Sequence, residues 1–357
     1  MIMSGMIDKD INRIRQWTPV DEDLDGIDAN VREVAVQTRK NFGFGVDYTR
    51  CEVWSDPEGV DVYADVPYLP DGNGSTAQGK AHCLDVYLPH DARLRGGCSL
   101  PVIVDIHGGG FVYGYKDLNR NFGTNLAAQG FVVFSLGYRL APTVDFVGQL
   151  ADVLQGLNWV KNHLADYPAD PDAIFIAGDS AGATLAEYAI SVLKSSEMAN
   201  AFGFGGGTDV PVPDIDPKGA VFFSGLFDVD GLVHYEGDTS ILPYLDAMGG
   251  TFFDSTVERV PADMLTARGL AASGLMPPTL LTTSSDDFLE HESLFFAGHL
   301  RRNGVVCEIY DLVPEKGLTL GHIFPVGQTW LPESLSVLQE IKRFVYGLIP
   351  PHFHTTT

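Results

Sequence analysis

Apolar positions along the chain fall into two recurring patterns. Short runs rich in Val, Ile, Leu and Phe occupy residues 100–106, 130–136, 174–179, 219–225, 277–283 and 305–310, and residues 82–89 alternate apolar with polar. Continuous runs of this length suit strands buried on both faces, and alternation suits a strand with one wetter face. Between the runs lie windows with apolar residues at helical spacing, over residues 147–163, 181–190, 289–303 and 332–346, and Gly304 stands where the third should close. Strands that alternate with helices predict an α/β fold, a mostly parallel, doubly wound central sheet with helices on both faces.

The flanks of this pattern differ from its body. Residues 7–41 carry Ile11, Ile14, Trp17, Val31, Val34 and Val36 at helix-like spacing, interrupted by Thr18-Pro19. Two short helices are expected, making residues 1–45 an arm that packs on the body or closes over a pocket. Residues 48–66 read as strand-like, and residues 71–76 and 95–97 as turns. Residues 195–218, rich in Gly, Pro and Asp, predict an exposed excursion without catalytic interest. Residues 226–272 are irregular and aromatic, with Phe227, Tyr235, Tyr244, Phe252 and Phe253. An insertion there would lie above the carboxyl ends of the strands, where such sheets bind ligands, as part of a cap. The tail at residues 350–357 has no periodicity, no segment repeats and none reads as a linker, so residues 1–357 are expected to form one domain.

Charge narrows the partners. With 47 acidic and 23 basic residues the net charge is −24, which disfavours nucleic acid and anionic membranes and favours solubility. No apolar run approaches the length of a membrane span, and the first ten residues turn acidic before an apolar signal core develops. A cytoplasmic protein acting on a small molecule is expected, and homo-oligomerisation is compatible with the sequence. Cys51, Cys83, Cys98 and Cys307 have no Cys-x-x-Cys spacing and no paired His, so free thiols are expected and no metal site.

The run at residues 174–179 leads directly into Gly178-Asp179-Ser180-Ala181-Gly182, followed by Ala-rich, helix-favouring sequence. Strand, sharp turn and helix would hold Ser180 on a strained backbone, with glycines where a Cβ would strike the neighbouring strand or helix. A serine hydroxyl needs an imidazole to take its proton and a carboxylate to orient that imidazole. Among the histidines beyond Ser180, His291 and His299 fall on one predicted helix and His352 and His354 in the tail, whereas His322 follows the last strand in a loop. His322 is therefore the expected base. Asp286 and Asp287, at the end of the preceding strand, are the expected acids. Upstream, His107-Gly108-Gly109-Gly110 follows a buried strand, and consecutive glycines there can turn bare N–H groups toward a developing oxyanion.

His107–Gly110, Gly178–Gly182 and Tyr138-Arg139-Leu140-Ala141-Pro142 together resemble the hormone-sensitive-lipase-like esterases, the family IV carboxylesterases, over residues 84–346. The resemblance implies the α/β-hydrolase fold and hydrolysis of short-chain carboxylic esters through an acyl-serine, without metal or organic cofactor. Setting Leu289, Leu300 and Gly304 on the family's pattern puts Asp287 at its acid, although Phe288 and His291 replace that motif's Pro and second Asp. It also implies the N–H groups of Gly109, Gly110 and Ala181 as oxyanion donors, each worth roughly 3 to 4 kcal/mol in the transition state. Asp179 is expected to brace the turn. Residues 84–89 with Gln149-Leu150-Ala151-Asp152 also look like the acetylxylan and feruloyl esterase branch. An arylformamidase-like amide hydrolase, or a ligand-binding homologue without activity, are the alternatives.

Overall fold

The computed structural model describes residues 10–92, 99–234 and 241–349; the turn at 95–97, Cys98, Tyr235, His352, His354 and the tail lie outside the described residues. Eight strands form one sheet: β1 (Val60–Pro67), β2 (Cys83–Pro89), β3 (Leu100–Ile106), β4 (Val132–Leu136), β5 (Ala169–Asp179), β6 (Gly219–Phe223), β7 (Thr279–Ser284) and β8 (Cys307–Leu312). Their order is β1-β2-β4-β3-β5-β6-β7-β8. β2 is antiparallel to β1 and to β4, and the pairs from β4 to β8 are parallel.

The strand alternation sorts side chains into two cores. Val102, Val104 and Ile106 of β3 face one, and Ile103 faces the other with Tyr87, Val133 and Phe175. Helices α1 (Ala29–Phe42), α3 (Phe146–His163), α4 (Ala181–Lys194), α5 (Glu290–Arg302) and α6 (Pro332–Leu348) follow the periodic windows, whereas α2 (Arg120–Ala128) falls outside them. Phe122 and Leu126 of α2 and Val337, Ile341 and Phe344 of α6 cover the second core, while α3, α4 and α5 bury Leu150, Leu154, Leu185 and Leu300 in the first. Each such side chain contributes about 1.5–3 kcal/mol on burial, and every residue of β3 is buried, as its unbroken apolar run requires. Local signals set the ends: Asp145 accepts from Gly148 N–H at 2.8 Å at the start of α3, and Gly304, at φ +78, closes α5.

Two expectations need correction. Residues 48–66 are not one extended segment: helical backbone continues through a widened turn (Gly43–Asp47) to Tyr48–Arg50, and β1 begins only at Val60. Ser55-Asp56-Pro57-Glu58-Gly59 breaks the strand-like pattern, and Trp54 packs edge-on against Trp17 instead of joining the sheet. Residues 195–218 are not simply an exposed excursion. A helix over Ser196–Phe202 buries Met198 and Phe202, and Phe204 and Ile215 join the core.

The N-terminal arm holds the expected helices at Ile11–Ile14 and α1. The valines of α1 are only half-buried, and its fully buried residues are Ala35 and Arg39. Arg39 meets Asp23 at 2.9 Å and donates to the carbonyls of Val112 and Ala141 at 2.9 and 3.2 Å. A buried guanidinium with these partners fixes the arm to the loop after β3. Among the described residues no helix is long and apolar enough to cross a membrane.

Candidate active site

β5 ends at Asp179 and α4 begins at Ala181, leaving Ser180 alone at the turn with φ 52 and ψ −122. A non-glycine residue in such a conformation costs about 1–3 kcal/mol, so its surroundings must impose it. They do so through the N–H of Ser180, which donates to the carbonyl of Phe223 on β6 at 2.8 Å. Glycine is required on both sides. A Cβ on Gly182 would collide with the backbone carbonyls of Ile106 and His107, and one on Gly178 with the backbone of Gly182.

Two other loops reach Ser180. Its Oγ lies 2.9 Å from Nε2 of His322, and Nδ1 of His322 lies 3.0 and 3.2 Å from the two oxygens of Asp287. Burial pushes the Asp287 carboxyl up, but the hydrogen bond and charge of His322 and the N–H of Leu289 hold it below its ordinary value. Asp286 points elsewhere. It accepts from the N–H groups of Leu320 and Gly321 at 3.0 and 2.9 Å and from the Ser284 hydroxyl at 2.8 Å, fastening the loop that carries His322. His291 and His299 stay on α5, and His234 pairs with Asp230 at 3.0 Å.

The glycine loop lies against the turn. Gly109 and Gly110 have φ of +107 and +57, and a Cβ on Gly109 would collide with the carbonyl of Tyr113. The carbonyl of Gly109 accepts from Val112 and Tyr113, while the N–H groups of Gly109, Gly110 and Ala181 have no acceptor among the described residues. The N–H of Gly108 donates to Oδ1 of Asp179 at 3.1 Å, and Asn119 donates to the same oxygen at 2.7 Å. Burial raises Asp179 to about 6, and raises neighbouring Asp105 to about 8 with the charge of Asp179 adding to it. His107 is buried, lowered to about 4, and stacked 4.2 Å from the ring of Tyr138. It is a neutral strut of the loop.

A cavity of about 430 Å³ opens over Ser180 and His322. The arm supplies Phe42 to its wall, the segment just after the arm supplies Asp47, Arg50 and Trp54, and residues 226–272 supply Leu226, Ile241, Leu242 and Tyr244. Of the described aromatic residues expected above the sheet, only Tyr244 lines the cavity. Phe227, Phe252 and Phe253 are buried in the core, the last two against Phe111 and Phe146.

Comparison with known proteins adds the family. The profile of the alpha/beta hydrolase fold family matches residues 103–315, more than half of the chain. The chain belongs to that family. This α/β-hydrolase is 34% identical over 241 residues to a probable isoprenylcysteine alpha-carbonyl methylesterase of Arabidopsis thaliana, covering 63% of its own length and 46% of the relative's. It is 35% identical over 169 residues to a probable carboxylic ester hydrolase of Mycobacterium tuberculosis, covering 47% and 36% of the two chains. It therefore spans less than half the length of these curated relatives. The crystal structure of esterase B from Lactobacillus rhamnosis superposes with a TM-score of 0.74 at 27% identity, over 90% of this chain and 96% of that one. The likeness to hormone-sensitive-lipase-like esterases read from the motifs agrees with these matches.

Several wall and brace residues of this α/β-hydrolase were not singled out from sequence. Asn119 bridges Asp179 and Asp105, donating at 2.7 and 3.2 Å, yet no spacing marks it. Arg50 falls in the segment read as strand and Asp47 immediately before it, so the helical turn that brings them together was invisible. Phe288 was noted only as a departure from a motif; its ring lies 4.6 Å from that of His322, at the mouth of the cavity. Cys51, Cys83 and Cys307 are free thiols.

Proposed function

We propose that the chain is a serine carboxylesterase that hydrolyses short-chain carboxylic esters through an acyl-serine intermediate. The observation that carries this reading is the 2.9 Å approach of His322 Nε2 to Ser180 Oγ, beside N–H groups with no acceptor among the described residues and under a walled cavity. Ser180 is the nucleophile, His322 the general base and then acid, and Asp287 the carboxylate that sets the imidazole tautomer and steadies its cation.

In the first step Ser180 Oγ bonds to the ester carbonyl carbon as its proton passes to His322, and the carbonyl oxygen gains negative charge. The N–H groups of Gly109, Gly110 and Ala181 receive that charge. Collapse breaks the bond to the alcohol, which leaves with the proton from His322. Water, deprotonated by the same imidazole, then releases the acid and restores Ser180. The arm and residues 226–272 act as a cap that limits the acyl chain, which supports a preference for short esters.

The three similar proteins reported above are each named for ester hydrolysis, which favours esters over amides. The test is a series of p-nitrophenyl esters from acetate to octanoate with the parent and Ser180→Ala, with an acetylated xylan oligomer and an N-formyl anilide as competitors. The reading expects turnover highest at short chains and abolished in Ser180→Ala. Preference for the formyl anilide, or no turnover of any ester, contradicts it.

A further inference from the structure

Arg50 stands out in the wall of the cavity over Ser180. Its side chain is 18% exposed, so most of the guanidinium has left bulk water, yet none of its N–H groups donates a hydrogen bond to a described residue. The nearest carboxylate oxygen, Oδ1 of Asp47, is 4.0 Å away. Asp47 instead accepts from the hydroxyl of Tyr113 at 2.9 Å through its other oxygen. The contrast with Arg39 is instructive. That guanidinium, eleven residues earlier in the chain, is fully buried and meets Asp23 and two carbonyls. Arg39 is complete within the protein and Arg50 is not.

The position of Arg50 is built rather than incidental. It lies against Gly327, where a Cβ would collide with the guanidinium, and Trp54 donates its indole N–H to the carbonyl of the same glycine at 3.3 Å. Gly327 ends the short helix Phe324–Gly327, which begins two residues after His322. The cation is thus packed against the element that follows the catalytic loop. Unpaired guanidinium donors in a partly dry site are costly unless a ligand completes them, and the planar fork matches a carboxylate. In a chain of net charge −24, an anionic substrate also needs a local cation to offset the general repulsion.

We propose that Arg50 is a specificity residue that selects esters bearing a carboxylate, which its guanidinium receives while the ester carbonyl reaches Ser180. This rests on the esterase reading above. Carboxylates on the acyl and on the alcohol side share this chemistry, and two substrate pairs separate them: monoethyl glutarate against ethyl pentanoate, and 4-acetoxybenzoate against 4-acetoxybenzamide. The kcat/KM ratio, charged over neutral, is measured for the parent, Arg50→Gln and Arg50→Lys, with the neutral member as the internal reference for folded enzyme. The expected result is a ratio above one in at least one pair. Arg50→Gln lowers that ratio at least tenfold through KM, and Arg50→Lys keeps a preference of the same sign; the responding pair identifies the side. A ratio at or below one in both pairs, or one that Arg50→Gln leaves unchanged, overturns the role of Arg50 and leaves the esterase reading standing. Absence of turnover with all four esters overturns both.

Discussion

The N–H of Gly108 donates to the carboxylate of Asp179 at 3.1 Å, joining the glycine loop after β3 to the residue that immediately precedes Ser180. The proposed nucleophile and the proposed oxyanion donors of the glycine loop come from chain segments about seventy residues apart, and this bond makes their spacing a local property. Asp179→Ala removes the acceptor for both Gly108 and Asn119. The expected loss is on the order of 100-fold in kcat, with little change in KM, since misplacement of donors is felt mainly in the transition state. Steady-state kinetics with p-nitrophenyl butyrate check it.

Adjacent aspartates should respond differently. Asp287→Asn offers the imidazole an amide and allows the wrong tautomer, lowering kcat by roughly 10⁴. Asp286→Asn disturbs the backbone of Leu320 and Gly321 but leaves the imidazole its partner. It should cost about 1–3 kcal/mol of stability and leave activity at least 100-fold above that of Asp287→Asn. Thermal melts beside initial rates distinguish the two, and equal losses of activity would contradict the assignment.

Stability should fall from weakly acidic to alkaline pH. Asp105 and Asp179, at about 8 and about 6 in the folded chain, lie above the unfolded carboxylate value of about 3.9. Below that value both are protonated in either state and their contribution is complete. As pH rises the unfolded chain ionises first, and stability is lost until pH passes the folded values. Glu187, buried with neither oxygen paired among the described residues, acts in the same direction. Asp105→Asn keeps an acceptor for Asn119 and Ser135 and should flatten the decline between pH 5 and pH 8.5 by a few degrees of Tm, as followed by calorimetry.

The ring of Phe288 is 64% exposed and tilted over His322 at 4.6 Å. Phe288→Ala should widen the mouth of the cavity, raise KM for short esters about fivefold for the loss of roughly 1 kcal/mol of ring contact, and improve longer chains relatively. An acyl-chain series on this variant measures the shift.

Backbone demands made much of the active region readable. Gly178 and Gly182 bracket Ser180 because a Cβ at either would strike main-chain atoms, and that constraint is written as a local pattern after an apolar run. His322 was reachable because, of the histidines beyond Ser180, His291 and His299 fall on a helix and His352 and His354 in the tail, while His322 follows the last strand. Asp286 and Asp287 both follow β7 and only the family resemblance separated them; what divides them physically is which way each carboxylate turns, a property of tertiary contacts 34 or more residues away. Arg39 and Arg50 were illegible for a related reason. Polar residues on an amphipathic arm ordinarily face water, and burial of the first and the half-buried placement of the second depend on carbonyls and a glycine more than 70 residues downstream. The span around Asp47 misled because β-favouring residues there continue a helical turn set by packing of Phe42 on Tyr113 and Tyr244.

The most direct test of the account is covalent capture of the nucleophile. A p-nitrophenyl alkylphosphonate mimics the tetrahedral stage of acyl transfer, and intact-mass measurement followed by peptide mapping reports where it bonds. The account predicts a single adduct on Ser180, one equivalent of p-nitrophenolate released, loss of ester turnover in step with labelling, and no adduct in Ser180→Ala. Labelling at another residue with matching loss of activity, or ester turnover that survives in Ser180→Ala, would contradict it.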